Sequence, residues 1–108
     1  MHHTRFRDPA GSIRDGTYDP EAETVAFGGQ QYALDDDDID VLPPVEPSKI
    51  VCIGRNYADH AAELGSDVPD RPLLFFKPPN ALASHGDTVT VPEGKDRIDW
   101  EAELAVVI

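Results

Sequence analysis

The sequence predicts a mainly β protein with short helices, in the α+β class. Several runs of four or five residues alternate apolar with polar side chains or are rich in β-branched residues, and Gly or Pro ends them, as is typical of strands. Only one segment combines helical spacing with a capping residue at its start and a glycine at its end. A length of 108 residues gives room for one small domain, below the size at which a second independent core forms.

The charge balance limits the classes of partner. Nine Lys and Arg residues stand against 21 Asp and Glu residues, so the formal net charge is −12. A surface this negative repels phosphate groups, which argues against nucleic acid and anionic membranes as partners. The sequence has neither a run of about 18 apolar residues nor the apolar region of a signal peptide. We therefore expect a cytoplasmic protein, in which the single cysteine, Cys52, is a small buried hydrophobic residue.

The acidity is concentrated in aspartate. Residues 35–38 are all aspartate and Asp40 follows, whereas the chain has only three lysines, Lys49, Lys77 and Lys95. Such a surface is similar to that of proteins from a salt-loaded cytoplasm, where screening removes the self-repulsion. One acidic loop on an otherwise ordinary protein is the alternative. Calcium binding by the run is disfavoured, because the spaced ligands and central glycine of a calcium loop are absent.

The first half of the chain, residues 1–46, is expected to form a small β-rich N-terminal lobe. Residues 24–27 and 30–34 flank a Gly-Gly pair, a pattern that predicts a β-hairpin. Arg5, Phe6 and Tyr18 are expected to contribute a further edge strand, and His2 and His3 to be disordered. Three prolines within five positions, Pro43, Pro44 and Pro47, forbid a helix and favour an extended connector to the second half.

The second half, residues 47–108, alternates predicted strands with one helix. Residues 49–53 are predicted to form a buried strand that Gly54 ends. Asn56 is positioned to cap a helix over residues 57–64, with Asp59 as the reciprocal partner and Gly65 at its end. Three further strands are predicted, over residues 73–76, 88–91 and 100–108. Because the last one is apolar and has no partner behind it, we expect the chain to be the front part of a longer protein.

The pair Glu101 and Glu103 is the sharpest chemical feature. On a strand, residues i and i+2 project from one face about 6.5–7 Å apart along the backbone. Two carboxylates at that spacing repel each other unless a cation lies between them, and a hard divalent ion such as Mg²⁺ or Mn²⁺ favours carboxylate oxygens. The alternative is a solvated edge strand with two surface glutamates, which the spacing alone does not exclude.

His60 and Glu63 form a second candidate pair. At positions i and i+3 of a helix they share a face, and a carboxylate raises the basicity of a neighbouring imidazole and fixes its tautomer. A general base for water or for a carbon acid needs this arrangement. The alternative is a surface histidine with an incidental partner, and His85 in its loop makes a weaker case.

Four further residues are candidates for binding an acidic substrate. The sequence Gly54-Arg55-Asn56-Tyr57 joins a strand to a helix N-terminus, where backbone N–H groups suit a carboxylate and Arg55 could act as a clamp. Lys77 follows an apolar strand and is a possible anchor for an acid. A lysine in that position is, as an alternative, merely structural.

Together these segments resemble a known family. The sequences PSKIVCIGRNYADHAAE (residues 47–63), PLLFFKPP (72–79) and DWEAELAVVI (99–108) resemble, in order, three blocks of the catalytic domain of the fumarylacetoacetate hydrolase family. The resemblance covers residues 42–108, and residues 47–108 look like the first part of that domain. It implies a rolled mixed β-sheet with short helices, and a homodimer.

The resemblance also implies a site and a chemistry. Glu101 and Glu103 would hold Mg²⁺ or Mn²⁺ with a third acidic residue that this chain lacks, while His60 and Glu63 would position or deprotonate a water. Arg55, Asn56, Tyr57 and Lys77 would bind the substrate. The implied substrate is a 2-oxo or β-diketo acid, of the acylpyruvate, oxaloacetate or 2-hydroxy-dienedioate type met in aromatic compound catabolism. It would react through a metal-stabilised enolate by hydrolysis, decarboxylation, hydration or isomerisation. An inactive fragment or a non-catalytic binding module of the same fold is the alternative.

Overall fold

An antiparallel five-stranded sheet contains most of the first 42 residues. The computed structural model describes residues 1–65, 67 and 69–108, without the side chains of Ala58 and His60. The strands lie in the order β4-β3-β2-β1-β5. Their bounds are β1 (His2–Arg7), β2 (Ile13–Asp19), β3 (Thr24–Phe27), β4 (Gln30–Ala33) and β5 (Asp40–Leu42).

The predicted hairpin is confirmed. Phe27 pairs with Gln30, which leaves Gly28 and Gly29 as a two-residue turn between β3 and β4. Their φ angles are 58° and 82°, the left-handed values that the commonest two-residue hairpin turn requires at both positions. Glycine reaches these angles without strain, so the local sequence alone specifies the turn.

Strand β1 is more central than its sequence indicated. The prediction of an edge strand was wrong, because β1 pairs with β2 on one side and with β5 on the other. The expectation of disorder at His2 and His3 was also wrong, since the two residues pair with Tyr18 and Thr17. The sequence of β1 does not indicate its central position, because that position depends on pairing with residues 40–42, which lie far away in the sequence.

The core of this sheet is small and aromatic. Phe6 and Val25 are completely buried, and Ile39 packs with them. The ring of Tyr32 meets Phe6 edge to face, with 5.8 Å between the ring centroids. Gly16 allows the close approach of β2 to this core, because a Cβ there would lie 2.3 Å from the carbonyl oxygen of Ala26 and 2.9 Å from the Phe6 ring.

Ion pairs stabilise the turn between β1 and β2 and the segment that follows β5. Arg5 donates to Glu46 at 2.7 Å, which ties β1 to the segment after β5. Arg14 donates to Asp8 at 2.7 Å and lies over the Phe27 ring, 5.0 Å from its centroid. The Arg14 contact, with a bond from the Ser12 N–H, holds the pKa of Asp8 below its ordinary value.

The second half of the chain forms a separate hairpin and one short helix. Strand β6 (Ile50–Gly54) pairs antiparallel with β7 (Leu73–Lys77), and α1 (Ala58–Glu63) lies between them in sequence. A single 3₁₀ turn follows at Pro79–Ala81. The mixed sheet implied by the resemblance is not formed here, since every pairing among the described strands is antiparallel.

Two predicted strands are absent from the structure. Residues 82–108, all of them described, contain no helix or strand, so the predictions for residues 88–91 and 100–108 were wrong. Alternation and apolar character favour a strand, but a strand also needs a neighbour to complete its backbone hydrogen bonds, and no described segment pairs with these.

Much apolar surface in this half is therefore uncovered. The prediction that residues 49–53 form a buried strand was wrong, because Val51 and Ile53 are exposed, and Cys52 is only half-buried. On β7, Phe76 is 71% exposed. The radius of gyration, 17.4 Å, exceeds the roughly 13 Å expected for a compact domain of this length. Many of the large apolar side chains described after residue 49 are thus not packed into a core.

Candidate functional site

The junction between β6 and α1 has an unusual backbone. Arg55 follows Gly54 at the end of β6 and has a φ of 57°, in the left-handed region that non-glycine residues rarely occupy. This conformation costs on the order of 1 kcal/mol or more and directs the chain sharply from the strand into the helix. Arg55 and Asn56 are both exposed here. Two of the predicted substrate-binding residues therefore lie in a solvent-accessible turn.

Helix α1 begins one residue later than predicted. The Tyr57 carbonyl accepts the Ala61 N–H at 3.0 Å, which places Tyr57, rather than Asn56, at the capping position. The predicted helix end is confirmed, because Gly65 has a φ of 68° and its N–H donates to Ala62 at 2.9 Å.

The predicted acid–base pair lies on this helix. Glu63 is the last residue of α1 and is exposed. The backbone of His60 lies within α1, but its side chain lies outside the described part of the structure. The contact between His60 and Glu63 therefore stays a prediction.

A long-range hydrogen bond connects the start of α1 with the Glu101–Glu103 segment. The Leu104 N–H donates to the Tyr57 hydroxyl oxygen at 3.2 Å, across 47 positions of sequence. Glu103 immediately precedes Leu104. The structure thus brings one predicted substrate-binding residue next to the backbone that carries the predicted metal ligands.

Glu101 and Glu103 lie in an exposed segment. Because residues 100–108 do not form a strand, no sheet fixes their side chains on one face as the prediction assumed. Trp100, which precedes them, is 89% exposed. Just upstream, Arg97 and Asp99 pair at 2.9 Å, and this carboxylate raises the pKa of the Arg97 guanidinium.

The predicted metal ligands in the described residues are the carboxylates of Glu101 and Glu103. Across residues 1–65, 67 and 69–108, no group of three or more His, Cys, Asp or Glu side chains is arranged to hold a metal ion. Two carboxylates nevertheless fit the donor chemistry of Mg²⁺, which binds proteins through one or two carboxylates and retains several waters. In donor chemistry, though not in number, the two predicted ligands therefore fit such an ion.

Lys77 lies apart from the other candidates. In the β6–β7 register, Lys77 pairs with Ile50, whereas Gly54 pairs with Leu73 at the other end of the hairpin. Ile50 and Gly54 are four residue steps apart on the strand, a distance of about 13 Å. The structure therefore does not bring Lys77 together with Arg55 and Tyr57.

None of the helices within the described ranges is long and apolar enough to cross a membrane.

Comparisons with known proteins identify the second half of the chain. The model of the fumarylacetoacetate (FAA) hydrolase C-terminal family matches residues 49–108. An uncharacterized protein of Archaeoglobus fulgidus is 44% identical over 98 residues, which cover 91% of this chain and 38% of that protein. The mitochondrial oxaloacetate tautomerase fahd2 of Xenopus laevis is 40% identical over 84 residues, 77% of this chain and 26% of the relative.

One solved structure supports the fold. The crystal structure of 5-carboxymethyl-2-hydroxymuconate delta-isomerase from Mycobacterium smegmatis superposes with a TM-score of 0.53 and 30% identity. The match covers 75% of this chain and 34% of the isomerase. This chain therefore spans 26 to 38% of the length of these relatives, and every predicted site residue falls within the segment that the family model matches.

Proposed function

The chain belongs to the fumarylacetoacetate hydrolase family, and we propose that it carries part of the site of an enzyme acting on a 2-oxo or β-diketo acid. The observation that carries this proposal is the position of the family match. Residues 49–108 contain the strand-to-helix junction, α1 and the Glu101–Glu103 pair, which are the segments where the chemistry-bearing side chains lie.

The reaction we propose is a proton shift that interconverts a keto acid with its enol or shifts a double bond beside it. A relative of this chain is named an oxaloacetate tautomerase, and the solved neighbour is named a delta-isomerase. Both names describe the movement of a proton within one substrate, so they favour this reaction over the hydrolysis, decarboxylation or hydration that remain open for the family. Oxaloacetate is the substrate to test first.

Enzymes of this family generally use a divalent metal ion. We propose Glu101 and Glu103 as ligands for Mg²⁺ or Mn²⁺, because two carboxylates are the donors that these hard cations prefer. When bound, such an ion supplies Lewis-acid polarisation of the substrate's carboxylate and keto oxygens.

The remaining residues act on the substrate itself. His60, oriented by Glu63, removes or returns the proton on the carbon next to the keto group, because an imidazole side chain is suited to general acid–base catalysis. Arg55 and Asn56 donate hydrogen bonds to a substrate carboxylate, since both lie exposed in the turn before α1. Lys77, at the far end of the hairpin, would reach only a second, distant acidic group of the substrate.

The protein that acts in the cell is proposed to be a cytoplasmic homodimer whose partner is this small acid. A second candidate function is a non-catalytic binding module of the same fold.

The experiment is a spectrophotometric assay of oxaloacetate enol disappearance, with the chain at molar KCl and with Mg²⁺ or Mn²⁺ added. Acylpyruvate is tested in parallel. The doubly substituted variant Glu101→Gln/Glu103→Gln is compared with Glu93→Gln, a matched control at an exposed glutamate of the same segment. Metal-dependent turnover that the double variant loses and the control keeps supports the proposal. Equal turnover in the double variant and the control would contradict it, whereas a folded chain with no turnover would fit either an incomplete catalytic site or the binding module.

A further inference from the structure

We infer that Tyr57 is a positioning residue, whose hydroxyl group holds the Glu101–Glu103 segment against the start of α1. The sequence predicted a substrate contact for this residue. The inference rests on the proposed function of the two glutamates as metal ligands, and the experiment below separates the failure of one from the failure of the other.

The backbone of Tyr57 is held in place by helix α1. Its backbone carbonyl accepts the Ala61 N–H at 3.0 Å, so the residue is anchored in the first turn of α1. From there the hydroxyl oxygen accepts the Leu104 N–H at 3.2 Å. A tyrosine ring has only two side-chain torsions, so little conformational freedom is lost when it makes such a bond.

The Tyr57 hydroxyl is important because it binds the backbone next to the two proposed metal ligands. Residues 100–108 pair with no strand in the described part of the chain, and Leu104 itself is 84% exposed, so packing contributes little to its position. The Leu104 amide belongs to the peptide group that begins at Glu103. A hydrogen bond at this amide restricts the backbone directly beside Glu103 and three residues from Glu101.

Restricting this backbone affects the chemistry of the pair. Two carboxylates bind one cation well only when their oxygens are held at a common point before the ion arrives, because ordering them on binding costs free energy. A tyrosine that preorganises the segment therefore raises metal affinity without touching the metal. A tyrosine that only contacts substrate would leave metal affinity unchanged.

The experiment compares the Tyr57→Phe variant with the wild-type chain. Tyr32→Phe serves as a matched control because Tyr32 lies in the N-terminal sheet. Phenylalanine keeps the ring and removes only the hydroxyl acceptor. The first readout is solvent exchange of the Leu104 amide by NMR without metal. The second is the affinity for MnCl₂ alone, followed by paramagnetic quenching of Trp100, the only tryptophan and the neighbour of Glu101.

We expect Tyr57→Phe to accelerate Leu104 exchange and to weaken Mn²⁺ binding, each about two- to tenfold, the range for one neutral hydrogen bond. Tyr32→Phe should change neither. Unchanged exchange in Tyr57→Phe overturns the inference, and so does faster exchange with unchanged Mn²⁺ affinity, because the hydrogen bond would then be only structural. A wild-type chain whose Trp100 is not quenched by Mn²⁺ refutes the proposed metal site itself.

Discussion

Replacing Phe6 by alanine should remove a large part of the free energy of unfolding of the N-terminal sheet. Phe6 is completely buried and packs on Val25, Ile39 and the edge of Tyr32. A buried phenylalanine removes roughly 150–200 Å² from water, which at about 25 cal/mol per Å² corresponds to about 4–5 kcal/mol. Measured Phe→Ala costs in protein cores are about 3–5 kcal/mol, and a small domain has only about 5–15 kcal/mol in total.

Amide hydrogen exchange is the suitable assay, because it follows β1–β3 separately from the rest of the chain. A loss of about 3 kcal/mol accelerates the exchange of the slowest amides roughly 100-fold. The matched control is Phe76→Ala, the same substitution at a side chain that is 71% exposed, and it should change the sheet's exchange little. Equal effects of the two substitutions, or a change below tenfold for Phe6→Ala, would refute the assignment of Phe6 to the core.

Three further predictions concern charge and close packing. Arg14 holds the pKa of Asp8 below its ordinary value. The contribution of the Asp8 carboxylate to stability is therefore complete above about pH 4 and is lost as the pH falls through the lowered pKa. Thermal melts should show Asp8→Asn less stable than wild type near pH 6, with the difference shrinking towards pH 2. A constant difference across that range would contradict this. Gly16→Ala should destabilise the sheet by about 1–3 kcal/mol in urea titrations, because the new Cβ would overlap the Ala26 carbonyl, whereas Gly54→Ala meets only the flexible end of Leu73 at 3.2 Å and should cost less. Similar costs at both glycines would argue against the β2–β3 register. Finally, the net charge of −12 predicts that the melting temperature rises by about 5 °C or more between 0.1 and 1 M KCl, because the screening length shortens from about 10 to 3 Å. A melting temperature that does not change with KCl concentration would contradict the prediction of a salt-adapted surface.

What could be predicted from the sequence depends on how local the cause is. The Gly28-Gly29 turn and the end of α1 at Gly65 follow from glycines whose positive φ angles are local requirements, and both predictions are confirmed. The central place of β1 could not be predicted, because it follows from pairing with residues 40–42, whose three-residue strand has little pattern of its own.

At residues 100–108 the sequence predicted a strand that the structure does not contain. Residues 100–108 have strong strand character, yet they are not a strand here, because β structure requires a hydrogen-bonded neighbour that alternation alone does not supply. The same limit applies to the site. The candidate residues could be named from their spacing, while the link between Tyr57 and Leu104 had no sequence signal, since any backbone N–H can meet a tyrosine hydroxyl.

The central claim is that Glu101 and Glu103 bind a divalent cation for the chemistry of a 2-oxo acid. Anomalous diffraction at the manganese edge tests it most directly, on crystals of the chain soaked with Mn²⁺ and with oxalate as an unreactive stand-in for the substrate. We predict one anomalous peak in direct contact with both carboxylates, with oxalate oxygens and waters completing its coordination. A peak elsewhere, or none at either glutamate, would contradict the account.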